Sequence, residues 1–250
     1  MSLVVFASYP RAGVHWMIRM YMEVTGVKRW GRAGKPYTFD GVPVILKTHR
    51  LPGQVSLSMG SRDKIVYTYR HGKDAVLAHS KFLFKRDFYA GRLRESYSTE
   101  WLKRCIVGKE RSAKRWQQHI EAFTSLTEEN NCQVRLITFE DMLADPVKEL
   151  RKVMRFVGID DPKKATFEKI SQFVAKAPNG EEIIMAPGRG LPYTGFLSGG
   201  EHLIHGPSTA EERLAVFTGR WRTFKYWTKE IDDLVNRQIG DTLEKLGYEL

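Results

Sequence analysis

The chain has 250 residues, 42% of them hydrophobic and 28% charged, and 40 lysines and arginines against 29 aspartates and glutamates leave a formal charge of +11. With no low-complexity tract, this composition excludes a disordered polymer and supports one packed domain over 1–250. The positive excess favours an anionic partner, whether nucleic acid, acidic membrane or a polyanionic small molecule, without choosing among them.

Leu3 to Ala7 is a continuous apolar run, the pattern of a strand buried on both faces of a parallel sheet. It follows Met1 too closely, and with too little basic sequence before it, to read as a signal peptide. Trp16, Met17, Met20, Tyr21 and Val24 recur at helical spacing after Gly13, and Gly26 is placed to end that helix. Pro43–Lys47 and Lys64–Arg70 are two further strands, each with cations at its C-terminal edge, where ligands of open α/β sheets bind. Lys73–Lys85 and Ala113–Glu129 read as helices, and Val134–Thr138 as a strand. Asp145-Pro146 opens a helix through Phe156 that Gly158 closes.

Phe167–Ala175 reads as a short helix, 186–207 as a long Gly/Pro-rich loop, Ser208–Glu211 as a capping box, and Ile231–Leu246 as an amphipathic helix. The expected fold is α/β: a single domain with a mostly parallel sheet flanked by helices, in a P-loop-like architecture. Cys105 and Cys132 have no metal-ligand spacing, which gives neither a disulfide framework nor a zinc site and fits a cytoplasmic chain. No window reaches the roughly 20 apolar residues of a membrane-spanning helix.

The loop from Ser8 to Gly13 joins the first strand to the first helix. Backbone N–H groups, the helix N-terminus and the Arg11 guanidinium can converge there on a phosphate. It is not a Walker A loop, because the Gly-x-x-x-x-Gly-Lys-Ser/Thr pattern is absent. Tyr9-Pro10-Arg11-Ala12-Gly13-Val14-His15-Trp16 resembles the Tyr-Pro-Lys-Ser-Gly-Thr-Thr-Trp signature of the cytosolic-type sulfotransferases. Those enzymes use 3′-phosphoadenosine 5′-phosphosulfate (PAPS). Lys47-Thr48-His49 and Pro52 resemble the same family's Lys-Thr-His-Leu-Pro stretch, whose histidine is the general base.

Arg70, with Lys73 and Asp74, resembles the segment that binds the nucleotide 3′-phosphate. That segment has a serine eight residues after the arginine; here the position is Ala78, and Ser80 stands two residues further on. Phe139-Glu140-Asp141-Met142 resembles a stretch whose aromatic approaches the adenine. Gly219-Arg220-Trp221-Arg222 resembles Gly-Asp-Trp-Lys/Arg, but the Arg-Lys-Gly triplet before it is missing, and Arg213 and Arg189 are imperfect substitutes for it.

The resemblance implies a PAPS-dependent sulfotransferase acting on a small-molecule acceptor, with no metal. His49 would act as base, and Lys47 and Arg11 would stabilise charge. The nucleotide contacts would be Arg11, Ala12, Gly13, Val14, His15, Trp16, Arg70, Ser80, Phe139 and Arg213. An apolar or aromatic acceptor would meet Phe82, Phe84, Phe88, Tyr89, Tyr193 and Phe196. Lys81, Lys85, Arg86, Arg92 and Arg94 read as solvated surface, and Trp101, Trp116 and Trp227 as packing. Two other readings stand beside this one: a P-loop-like nucleotide kinase or phosphotransferase, and a non-enzymatic nucleic-acid-binding protein.

Overall fold

The computed structural model describes residues 3–25, 31–32, 37–39, 42–54, 64–129, 133–159 and 218–250. The predicted helix at 167–175, the loop at 186–207, the capping box at 208–211, and Gly26, Cys132, Arg189, Tyr193, Phe196 and Arg213 lie outside them.

In chain order the described elements are β1 (Leu3–Ser8), α1 (Val14–Thr25), β2 (Gly31–Arg32), β3 (Tyr37–Phe39), β4 (Val42–Thr48), β5 (Lys64–Tyr69) and α2 (Gly72–Tyr89). They continue with α3 (Thr99–Val107), α4 (Ser112–Glu129), β6 (Gln133–Thr138), α5 (Phe139–Ala144), α6 (Pro146–Val157), α7 (Arg220–Thr223) and α8 (Lys229–Lys245). The strands lie in the order β2-β4-β1-β5-β6, all parallel, with β3 antiparallel on β4. The expected α/β architecture is therefore present. The chain winds outward from β1 in both directions, and ligands of open sheets bind beside such a reversal, beyond the C-terminal strand ends.

The apolar run of β1 is explained by its place at the sheet's centre. Val4 and Phe6 point into a core shared with α1, α5 and α6. Val5 and Ala7 point into a second core shared with α2, α3, α4 and α8. Both faces are covered, so no alternation is required. In the second core Tyr67 of β5 stacks on Phe123 at 4.4 Å, and Trp116 is fully buried. The Trp116 indole also donates to the Arg70 carbonyl at 3.2 Å, tying the core to the backbone that leaves β5.

The helix ends follow local chemistry. Asp145 accepts from the Lys148 N–H at 2.9 Å and Pro146 opens α6, while Gly158, at φ 80°, adopts the left-handed conformation that stops it. Three elements have weak sequence signals: α3, capped by Ser98; α5, capped by Thr138; and the single turn α7. Among the described residues no helix is long and apolar enough to cross a membrane.

Candidate active site

Strand register places the chemistry. Ala7 pairs with Thr48 on one side and Tyr67 on the other, and Ser8 pairs with Thr68. Parallel pairing therefore brings the phosphate loop, His49 and Arg70 out at one edge of the sheet, from three strands far apart in sequence. They line a cavity of about 1340 Å³. That exceeds the roughly 300–1,000 Å³ of a single-ligand pocket, so two reactants fit side by side.

The loop is held open by two left-handed residues, Arg11 at φ 71° and Gly13 at φ 91°. For arginine this conformation costs on the order of 1–3 kcal/mol, a strain typical of ligand clamps. Gly13 is required for a second reason: a Cβ there would sit 2.6 Å from Phe139 and 2.8 Å from Met142. The Ala12 N–H turns inward to the Tyr9 carbonyl at 3.3 Å, and Ala12 is buried. Gly13, Val14 and His15 line the cavity at the start of α1, where N–H groups have no intrahelical acceptor and the helix dipole is positive.

Beside the loop, Arg70 lies over the Phe139 ring with its guanidinium carbon 4.8 Å from the centroid. Trp16 meets Phe139 edge-on at 5.9 Å. A cation and two aromatic rings thus face one end of the cavity, a donor set suited to a phosphorylated purine nucleotide. Asp74 fixes this wall from behind. It accepts from the Gly219 N–H at 2.7 Å and the Arg220 N–H at 3.0 Å, and lies 3.8 Å from Arg70. Its neighbour Lys73 turns away, fully buried, to Asp232 at 2.8 Å and the Trp221 ring at 4.1 Å.

His49 follows β4 directly, and Lys47 is that strand's penultimate residue. The His49 Nδ1 lies 2.8 Å from the Ser8 carbonyl. A carbonyl only accepts, so the proton sits on Nδ1 and the Nε2 lone pair is left for the cavity. The ring's surface is exposed towards the cavity, while protein atoms crowd its Nδ1 side. The burial on that side, with Lys47 and Arg11 nearby, lowers the ring's pKa to about 4 against a smaller opposing effect of the Ser8 bond. The imidazole is uncharged at neutral pH. His119 steadies the backbone beneath it: Nε2–H donates to the His49 carbonyl at 3.3 Å, and Nδ1 receives the Tyr67 hydroxyl at 3.0 Å.

His79, which the sequence did not single out, has the same construction. The Tyr9 hydroxyl donates to the Ser112 carbonyl at 3.1 Å and so receives the His79 Nδ1–H at 2.7 Å. His79 lines the cavity too, and burial, followed by Arg115, lowers its pKa to about 4.

Ser80 does not join this group. Its hydroxyl donates to the Leu77 carbonyl at 2.8 Å and meets the Tyr97 hydroxyl at 2.6 Å, because two helical residues beyond position 78 turn it to the α3 side. Ala78 occupies the cavity-facing position. The basic stretch on α2 requires a correction. Lys81 and Lys85 are half-buried and line the cavity beside Phe82, Phe84 and Phe88, whereas Arg86, Arg92 and Arg94 are exposed as expected. Positions 78, 82, 85 and 89 fall on one helix face, a spacing from which this was legible. Among the described residues no group of His, Cys, Asp and Glu is arranged to hold a metal ion.

Residues 33–179, more than half of the chain, match the family described as the sulfotransferase domain. Among curated proteins the chain is similar to mouse sulfotransferase 1A1, with 26% identity over 186 residues, 64% of this chain and 61% of that protein. It is also similar to human sulfotransferase 1C2, with 23% identity over 202 residues, 68% of this chain and 66% of that protein. The matches thus span less than two thirds of either relative. Among solved structures, mouse sulfotransferase SULT7A1 complexed with PAP superposes with a TM-score of 0.60 at 17% identity, covering 98% of this chain and 88% of that one. A retinol dehydratase in a complex with retinol and PAP gives 0.57 at 15%, covering 99% and 82%. At such identities the superpositions speak for the fold.

Proposed function

The chain belongs to the sulfotransferase domain family, and on that premise we propose that it moves a sulfuryl group from PAPS to a hydroxyl, or an amine, of a small apolar or aromatic acceptor. The observation that carries this reading is His49. Its proton is locked on Nδ1 and its Nε2 lies open in the cavity that also holds the phosphate loop and the Arg70–Phe139–Trp16 cluster. PAP in the two solved neighbours supports PAPS as the donor.

In this reading Arg70 and the rings of Phe139 and Trp16 hold the 3′-phosphoadenosine. Gly13, Val14 and His15 offer backbone N–H groups, and Arg11 its guanidinium, to the 5′-phosphosulfate. His49 Nε2 takes the proton of the acceptor hydroxyl as its oxygen bonds to sulfur and the bond from sulfur to the phosphate oxygen breaks, releasing PAP. Lys47 and Arg11 stabilise the charge that develops on the sulfuryl and bridging oxygens. Arg11 is a bidentate oxyanion ligand that keeps its proton, so it does not protonate the leaving group. The kinase reading gains no observation, because Val14 and His15, not Ser or Thr, follow Gly13 where a magnesium ligand would stand. The nucleic-acid reading gains none either, since cations of α2 line a cavity rather than an outer helix face.

Calorimetry with PAP and ATP, followed by transfer of labelled sulfate from PAPS to phenols, alcohols and amines, tests this. PAP should bind without magnesium and more tightly than ATP, and label should reach at least one acceptor class. Absence of PAP binding defeats the proposal.

A further inference from the structure

Two imidazoles with the same polarity line the cavity, and consecutive residues of the phosphate loop set them. The Ser8 carbonyl holds the His49 proton on Nδ1, and the Tyr9 hydroxyl holds that of His79. The Tyr9 ring meets His79 edge-on at 5.3 Å and His119 edge-on at 6.2 Å, and His119 in turn holds the His49 carbonyl. His79 is thus fixed to the same framework as the base.

Helix α2 forms a wall of the cavity from Asp74 to Tyr89. At about 1.5 Å per residue, His79 lies roughly 7.5 Å along it from Asp74. It therefore stands between the nucleotide cluster at Arg70 and the turns that carry Phe82, Phe84 and Phe88. The Phe82 ring lies nearly parallel to the imidazole, with centroids 6.5 Å apart. The charge of a protonated His49 also reaches His79 and adds to the lowering of its pKa, so the two rings share one part of the cavity.

The His79 Nε2 has no hydrogen-bond partner among the described residues, yet it is not sealed from the cavity space. With Nδ1 carrying the proton, Nε2 only accepts, so a group that meets it must bring an O–H or N–H. Its lone pair persists at neutral pH, where the ring is uncharged. An acceptor atom left unmet in a partly dry wall costs free energy that a donor on a ligand recovers. The reacting hydroxyl has one proton, and that proton goes to His49.

Resting on the sulfotransfer reading above, we propose that His79 selects the acceptor: its Nε2 receives a hydrogen bond from a second hydroxyl, or an N–H, while the reacting hydroxyl meets His49. The preferred acceptor is an aromatic compound with two donor groups. His49 deprotonates one of them, and His79 holds the other without taking its proton.

The test uses two pairs of phenols in which a non-reacting hydroxyl is exchanged for methyl, with PAPS as donor. They are 3-(hydroxymethyl)phenol with 3-ethylphenol, and 4-(2-hydroxyethyl)phenol with 4-propylphenol, which sample two different spans. A buried hydroxyl that finds no partner loses to its methyl isostere. One received by His79 should instead win by about fivefold in kcat/KM in at least one pair, the worth of an ordinary hydrogen bond, mostly through KM. His79→Asn keeps an N–H for the Tyr9 hydroxyl but puts no acceptor at the Nε2 position, and His79→Phe removes both. In each the ratio should fall below 1, and His79→Gln, whose amide oxygen reaches the Nε2 position, should restore part of it. Both members of a pair are read on the same protein, so loss of folded enzyme cancels from the ratio. A wild-type ratio of 1 or less in both pairs overturns the inference, as does a ratio that His79→Asn leaves unchanged. Loss of all turnover in His79→Asn with PAP binding intact overturns it too, by making His79 essential to the chemistry. Wild type that binds PAP but turns over none of the four phenols also overturns it, whereas absence of PAP binding overturns the sulfotransfer reading itself.

Discussion

The two ends of the cavity are built by different means. At the nucleotide end, three parallel strands in fixed register deliver the loop, His49 and Arg70 to one edge, and buried groups such as Trp116 and Asp74 hold the surrounding backbone. At the far end, the described wall is largely the last turns of one helix, where Phe88 is 49% and Tyr89 82% exposed. Register errors at the first end would displace every reacting group, whereas side chains at the second can be exchanged without moving the backbone. Substitutions at the first end should therefore damage chemistry or nucleotide affinity, and those at the second should redirect acceptor choice.

The largest expected effect is at the first end. His49→Ala should lower kcat by about 10²–10⁴, the usual worth of a positioned base, while calorimetry finds PAP affinity nearly unchanged; an equal loss in both would make His49 a binding group instead. Arg70→Ala comes next. Losing charge-assisted bonds worth about 1.5–3 kcal/mol should weaken PAP binding roughly 10- to 150-fold, with Arg70→Lys restoring part of it.

A smaller effect concerns pH. In free enzyme the acid limb of kcat/KM should lie near the lowered pKa of His49, about 4, rather than at the ordinary imidazole value. Because Lys47 and Arg11 contribute to that lowering, bound nucleotide phosphate should shift the limb of kcat upward. His79 and His119 give the matching stability effect. Their folded pKa values are lowered to about 4, so unfolding takes up protons below the unfolded value of 6.5. Their stabilisation is complete above pH 6.5 and declines as pH falls towards 4, at up to about 2.7 kcal/mol per pH unit; urea titrations at several pH values measure the slope. The smallest effect is that of Ser80→Ala, which should change PAP affinity less than about twofold, since that hydroxyl faces Tyr97 and the loss is one ordinary hydrogen bond of stability. Ala78→Ser, on the cavity face, should tighten PAP binding; no gain there would argue against a nucleotide contact at position 78.

Much of the nucleotide end was legible in the sequence, because its parts are contiguous. An apolar run from Leu3, Tyr9-Pro10-Arg11-Ala12-Gly13 and a helical period as far as Val24 identify a strand, a turn and a helix in one contiguous stretch. What joins those parts was not legible. The tautomers of His49 and His79 depend on the Ser8 and Ser112 carbonyls, brought in by tertiary packing. Ser80 stood near the expected serine in sequence, yet two residues along a helix moved it to the opposite side. The shared helix face of Ala78, Phe82, Lys85 and Tyr89 could be read from their spacing, but the loop and sheet edge that turn that face into a cavity wall could not.

The clasp between Asp74 and the N–H groups of Gly219 and Arg220 spans 145 positions. At synthesis rates of about 5–20 residues per second, Asp74 joins the chain roughly 7–30 seconds before its partners exist. Lys73 waits longer for Asp232, as does the second core for Ile231, Val235, Ile239 and Leu243 of α8. During that interval the nascent chain has its strands and phosphate loop but lacks the segment that braces the wall behind Arg70. Nucleotide retention is thus a late acquisition of the growing polypeptide, and a ribosome stalled before residue 219 should display a sheet without a competent site.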